Sequence, residues 1–181
     1  INDWLTQKGH GFIGVHSAGD SYHNWKPYWD MAGGTFISHP WTQNTTVTLH
    51  VHDPEHPGAA PYGEEFVIQD EIYMYKNWQP EKVHLLMSLD YAKSPTNNGV
   101  PTEYGYHVPV AWCKNYGDGK VYYNNLGHRP ETWTNQTFLD SLAGAVKWIR
   151  GEAEGDATPN PEVSAKWEAK SKKDFVEHGF K

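Results

Sequence analysis

The sequence predicts a layered α/β domain in which a strand, a tight turn and a helix form a βα unit of a parallel sheet. Three observations carry this. The apolar run Gly11-Phe12-Ile13-Gly14-Val15 stops at the small residues Ser17-Ala18-Gly19, and a helical segment over 23–32 follows. Further short apolar or alternating runs recur through the middle of the chain, bounded by Gly, Pro or Asn. Near the end, Phe138, Leu139, Leu142, Val146 and Ile149 repeat at helical spacing.

Taken in order, residues 1–9 read as the end of a helix, with Trp4 and Leu5 apolar and Gly9 as its stop. The strand 11–15 comes next, then the helix 23–32, which Gly33-Gly34 ends. Residues 45–52 alternate: Val47, Leu49 and Val51 on one face, Thr46, Thr48, His50 and His52 on the other, the period of a half-buried strand. A Pro/Gly-rich loop covers 54–63. Phe66-Val67-Ile68 and Val83 to Met87 read as strands, the first leading into Asp70-Glu71-Ile72-Tyr73. The polar stretch 94–105 reads as a mobile loop or one lying over a pocket. Residues 108–113 and 120–125 flank Tyr116-Gly117-Asp118-Gly119, whose Asp-Gly suits the positive dihedrals of a hairpin turn. The helix 135–150 has Gly151 where a C-terminal cap belongs. These boundaries make 1–151 one domain and 152–181, polar and broken by Pro-Asn-Pro, an extension that wraps it or leads to another.

Composition narrows the function classes. At 181 residues with a net charge of -7 and no long Lys/Arg run, the chain is a poor partner for nucleic acid. No stretch approaches the roughly 18 consecutive apolar residues of a membrane helix, so no membrane insertion is expected. The single Cys113 excludes an internal disulfide framework and a cysteine-rich zinc site. Nine Trp, eleven Tyr and eleven His suit a sugar-binding or metal-binding pocket, although composition alone favours an aromatic-rich core with solvated histidines; a neutral or weakly cationic ligand fits the charge better. The start at Ile1, with neither Met nor a leader-like segment, is expected to reflect missing upstream sequence. A periplasmic or secreted location is expected over a cytoplasmic one.

In open α/β sheets ligands sit beyond the carboxyl ends of the strands, so a polar residue directly after an apolar strand is a site candidate by position. His16 is such a residue. Its small neighbours allow the sharp turn that lifts one side chain above a sheet. A helix starting close behind would lower the imidazole pKa through its N-terminal dipole and hold it neutral, suited to a base, a donor or a metal ligand. His128 follows the strand 120–125 in a comparable place, with Glu131 three residues on. His39, before Pro40, and the pair Asp70-Glu71 follow apolar runs and can point into the same cleft.

The segment Gly11-Phe12-Ile13-Gly14-Val15-His16-Ser17-Ala18 resembles the signature of the ThuA, or trehalose-utilisation, family. Trp25, Tyr28, Gly33-Gly34, Phe36 and His39-Pro40 follow in the family's order. So do His56-Pro57, Asp70-Glu71-Ile72-Tyr73, Pro109-Val110-Ala111-Trp112, Gly117-Asp118-Gly119-Lys120-Val121-Tyr122-Tyr123 and Leu126-Gly127-His128. Together they span 9–151. The resemblance implies a flavodoxin-like, class I glutamine-amidotransferase-like three-layer sandwich, with the family's N-terminal strands missing from this chain. A second chain or the missing segment would then complete the sheet, since an open parallel edge invites aggregation. It also implies action on a disaccharide or oxidised sugar derivative. The amidotransferase cysteine is absent: position 16 is histidine and Cys113 lies within a strand, so cysteine-based glutaminase chemistry is not expected.

The sequence thus assigns catalytic roles to His16, His128 and Glu71, and binding roles to His39, Asp70, Tyr73, Trp25 and Trp112. Trp41 and Trp78 are further residues able to stack on a sugar, whereas Trp29 reads as packing its helix against the sheet. His16, His39 and His128 are the candidate ligands of a divalent metal such as zinc, although no short motif of the His-Glu-x-x-His type is present. His50, His52, Asp53 and His56 read as a solvated cluster. Three functions stay open at this point: His-centred acid/base chemistry on a sugar, a non-catalytic carbohydrate-binding or scaffold domain, and a metal-dependent hydrolase.

Overall fold

In the computed structural model, which describes residues 2–180, a short helix α1 (Asn2–Leu5) precedes strand β1 (Gly11–Val15). A single 3-10 segment, His16–Asp20, follows before helix α2 (Lys26–Ala32). This helix starts later than residue 23 because Pro27 sits in its first turn, where the missing N–H costs nothing. Strands β2 (Thr35–Trp41), β3 (Thr46–Val51), β4 (Glu65–Gln69), β5 (Ile72–Lys76), β6 (His84–Leu89), β7 (Pro109–Tyr116) and β8 (Gly119–Asn124) come next. Helices α3 (Gln136–Ile149) and α4 (Pro161–Glu177) complete the chain.

The result is a mixed α/β fold with a six-stranded sheet ordered β1-β8-β7-β6-β3-β4 and a separate β2-β5 pair. The parallel sheet expected from the βα unit is confined to one pairing, β1 with β8; the other ladders of the sheet are antiparallel. Hairpins such as β7–β8, turning at Gly117 with φ 62, can join only antiparallel neighbours.

The alternation along β8 shows where the layers lie. Tyr122 points to α3, where its hydroxyl meets Ser141 Oγ at 2.9 Å. Its neighbours face the other way: Val121 packs with Met31 and Ala32 of α2, and Tyr123 stacks on Trp112 at 4.3 Å. Helices α2 and α3 therefore cover opposite faces of the sheet. The β2–β5 pair joins the α2 side through Tyr75, edge-on to Trp112 at 5.3 Å. Strand β2 carries Pro40 and two register irregularities, tolerable in a two-stranded ribbon.

The segment 94–105 is tied to β2, with Trp41 Nε1 donating to Ser94 O at 2.8 Å and Thr96 Oγ1 to Pro40 O at 2.7 Å, and its residues 95–98 line a surface pocket with 44–46. One expectation is corrected here. The polar face of β3 is covered by α4: Trp167 stacks on His50 at 4.7 Å, meets His52 edge-on at 4.9 Å, and donates Nε1–H to Leu89 O. His56 is fully buried beside Trp148. The extension 152–181 thus wraps the domain, and no described helix is long and apolar enough to cross a membrane.

Burying histidines has a pH consequence. Ser88 Oγ lies between His52 Nε2 at 2.9 Å and His107 Nε2 at 2.8 Å, and His50, His107 and Lys166 add to burial in disfavouring a charge on His52. Burial lowers His52 and His107 to about 3 and His56 to about 4. Unfolding returns each to about 6.5, so the unfolded chain takes up protons first as pH falls. The stability these groups contribute is present above pH ~6.5 and is lost below it, at about 1.4 kcal/mol per pH unit for each histidine held neutral. Urea unfolding is expected to weaken measurably between pH 7 and 5, before carboxylates titrate. An unchanged midpoint over that range would contradict the burial of these rings.

Candidate active site

The site begins where β1 ends. His16 takes φ 41, in the left-handed region that a non-glycine residue occupies only when its surroundings enforce it. The enforcement is visible. Tyr123 donates its hydroxyl proton to His16 O and accepts from Gly19 N at 2.9 Å, while Tyr28 Oη donates to Ala18 O at 2.8 Å. A Cβ at Gly19 would fall 2.5 Å from Tyr123 Oη, so the turn needs glycine there. The sharp turn anticipated from Ser17-Ala18-Gly19 is present.

His16 is 4% exposed. Its Nδ1 lies 2.7 Å from Asn125 O; a carbonyl only accepts, so Nδ1 carries the proton and Nε2 presents a lone pair. That Nε2 has no hydrogen-bond partner among the described residues. It faces Glu71 Oε1 at 3.5 Å, and His128 Nε2 lies 3.8 Å from the same oxygen. His39 Nδ1 approaches Glu71 Oε2 at 3.4 Å. The His16 and His128 rings meet edge-on with centroids 5.2 Å apart. Burial is the largest influence on His16 and lowers its pKa, against the carbonyl of Asn125 and the charges of Asp70 and Glu71, which raise it. The helix dipole expected to do this is not available, because only a five-residue 3-10 turn follows and α2 starts at Lys26.

Two residues behind this cluster hold it together. Asp70 is fully buried and accepts four hydrogen bonds: from Glu71 N at 2.9 Å, Arg129 N at 3.0 Å, Gly127 N at 2.8 Å and Thr132 Oγ1 at 2.8 Å. It pins the loop carrying His128 beside Glu71. Asn125 supplies the carbonyl for His16 and clamps the Tyr73 backbone, accepting from Tyr73 N at 3.0 Å and donating to Tyr73 O at 2.9 Å. Sequence reasoning missed Asn125. The positional rule that selected His16, a polar residue directly after an apolar strand, selects it equally well.

The remaining candidates divide. Tyr73 borders the cluster, its ring centroid 4.0 Å from His16 and 4.2 Å from Phe36. Burial, then the charges of Glu71 and Asp20, push its phenol up to about 12, so it stays protonated and can donate. Trp25 is exposed and meets the exposed Tyr22 edge-on at 5.8 Å. Trp112 is a core residue, fully buried, its Nε1 donating to Ala32 O at 2.8 Å. Trp41 is likewise core, Trp78 packs on Trp112 at 4.9 Å, and Trp29 lies under Lys26. Glu131 turns outward to pair with Arg129 at 3.1 Å. Cys113 is buried against His56 in the core, and burial raises its thiol well above the ordinary value, so it offers no nucleophile.

A lone pair, a carboxylate and a half-exposed imidazole meeting at one point can move a proton or hold a cation. His16, Glu71 and His128 offer three such atoms within 4.8 Å of one another.

A family model described as ThuA, trehalose utilisation, matches residues 4–149. No curated protein matches the chain. A ThuA-like protein from Bacteroides uniformis is 22% identical with a TM-score of 0.62, covering 89% of this chain and 65% of its own. A ThuA-like protein from Parabacteroides merdae is 11% identical with a TM-score of 0.60, covering 90% and 71%. A β-galactosidase from Bacillus circulans sp. alkalophilus, 12% identical with a TM-score of 0.52, matches 87% of this chain over 20% of its own length. At these identities the likeness is one of fold, and the chain spans about two thirds of the length of the ThuA-like structures.

Proposed function

The chain belongs to the ThuA, or trehalose-utilisation, family, and from that premise we propose that it processes a disaccharide or an oxidised sugar derivative at the cleft formed by His16, Glu71 and His128. The fold is read as the flavodoxin-like, amidotransferase-like sandwich of the sequence analysis, with its catalytic cysteine position taken by His16. One observation carries the proposal: a buried imidazole nitrogen, His16 Nε2, held in one tautomer by Asn125 and left without a partner opposite a carboxylate. An unused electron pair in a cleft costs stability unless a ligand or reaction uses it.

The surroundings suit a sugar. Phe36 and Tyr73 give apolar ring faces beside polar groups, the usual lining of a carbohydrate pocket. Tyr73 Oη can donate to a sugar oxygen, and His39 and His128, both open to solvent, can pass protons to and from it. The meeting of three histidines at Glu71 supports an enzyme over a non-catalytic binding or scaffold domain, which would have no need of an orphaned buried nitrogen. The test is incubation of the full-length protein with trehalose, other glucosides and their keto derivatives, followed by proton NMR. Conversion of at least one sugar is expected. A complete absence of conversion, with saturable sugar binding intact, would favour the binding domain.

A further inference from the structure

Glu71 Oε1 and His16 Nε2 are both acceptors, 3.5 Å apart and almost wholly buried, and among the described residues no hydrogen-bond donor serves His16 Nε2. Two lone pairs aimed at one another repel unless something positive sits between them. A proton is a poor fit, because 3.5 Å is beyond the ~2.7–2.9 Å of a charge-assisted N–H···O bond. We propose that His16 Nε2, Glu71 Oε1 and His128 Nε2 hold a divalent transition-metal ion of the zinc type, leaving its fourth position open to the cleft.

The spacing fits such an ion. Ligands at about 2.0–2.2 Å in a tetrahedron lie about 3.4 Å apart; the two ligand distances to Glu71 Oε1 are 3.5 and 3.8 Å, a small contraction away. Two imidazoles and one carboxylate favour zinc and its neighbours over magnesium or calcium, which take oxygen ligands. The supporting shell is also of the required kind. A metal-bound imidazole donates its second N–H to a carbonyl or carboxylate, as His16 Nδ1 does to Asn125 O. Asp70 fixes the backbone on both sides, through Glu71 N and the Gly127 and Arg129 amides flanking His128. Geometry puts Glu71, rather than His39, in the first sphere. His39 Nδ1 lies 3.4 Å from the other carboxylate oxygen, Oε2, on the far side of Glu71 from the proposed ion. With the ion in place His16 is a ligand, and a sugar oxygen or a water in the open position becomes the activated group.

This rests on the location of the proposed site but not on its substrate, and the two are separable. The full-length protein, stripped with a chelator and dialysed, is titrated calorimetrically with zinc ion alone. Near-stoichiometric binding is expected, weakened at least 100-fold in His16→Asn and in His128→Gln. The second variant alters a solvent-facing side chain, so it keeps the test open if the first fails to fold. Equal affinity in native protein and both folded variants, as surface histidines would give, overturns the site, as does no saturable binding. Sugar conversion is followed in the same stripped protein: turnover that persists undiminished without zinc overturns the metal while sparing the sugar reading. Tight zinc binding with no sugar converted does the reverse.

Discussion

Replacing Asp70 by alanine is expected to lower the unfolding free energy by about 3–5 kcal/mol, the range for removing one partner from a buried charged network. The side chain is fully buried and accepts from three backbone amides and one hydroxyl, so its loss strands Glu71 N, Gly127 N, Arg129 N and Thr132 Oγ1 in the interior. Water entering the hole can recover part of this, which places the lower end of the range. Asp70→Asn is expected to cost less but not to rescue, because its amide turns donors toward donors. The same variants are expected to loosen His128 from Glu71 and so to impair the site more than the fold. Urea denaturation of native and variant protein measures the first effect; a cost under about 1 kcal/mol, the value of an ordinary exposed hydrogen bond, would show that the network does not hold this loop.

Much of this was legible from local patterns. Helix α3 follows from five apolar residues at helical spacing, and its start from Asn135, whose side chain accepts from Phe138 N. The β7–β8 hairpin was legible in Tyr116-Gly117-Asp118-Gly119, although the positive dihedral falls on Gly117 and not on the Asp118-Gly119 pair, and the sharp turn at His16 follows from the small residues after an apolar strand. What was not legible depended on partners distant in sequence. Strand β2 escapes detection because Pro40 and the bulges break its period. Its pairing with β5, outside the main sheet, has no local signal. The histidines of β3 read as solvated because the residue covering them, Trp167, lies more than a hundred positions away in a segment whose polarity masks an amphipathic helix. Within the site, His16, Glu71, His128 and His39 were each found singly by their place at strand ends, and the structure brings them together. Asp70 and Trp112 also stand at strand ends or within strands, and the structure places one among four internal hydrogen bonds and the other in the core. Polarity or aromaticity at a strand end does not reveal which groups are already satisfied.

The second large effect concerns His16. Asparagine is the substitution of choice because it tolerates the left-handed backbone that φ 41 requires better than most residues. It removes the imidazole while keeping a polar side chain beside Asn125 O. Stability is expected to stay within about 2 kcal/mol of native, the upper range for one buried hydrogen bond. Turnover is a different matter. Whether Nε2 takes a proton or holds an ion, the reaction runs through its electron pair, and loss of such a group removes about 10²–10⁴-fold in rate. The measurement that bears most directly on the cleft as the working centre is therefore kcat for sugar conversion by native and His16→Asn full-length protein, with circular dichroism on both. A fall of about 10³-fold with the fold unchanged is the predicted result; equal rates in the two proteins would contradict it.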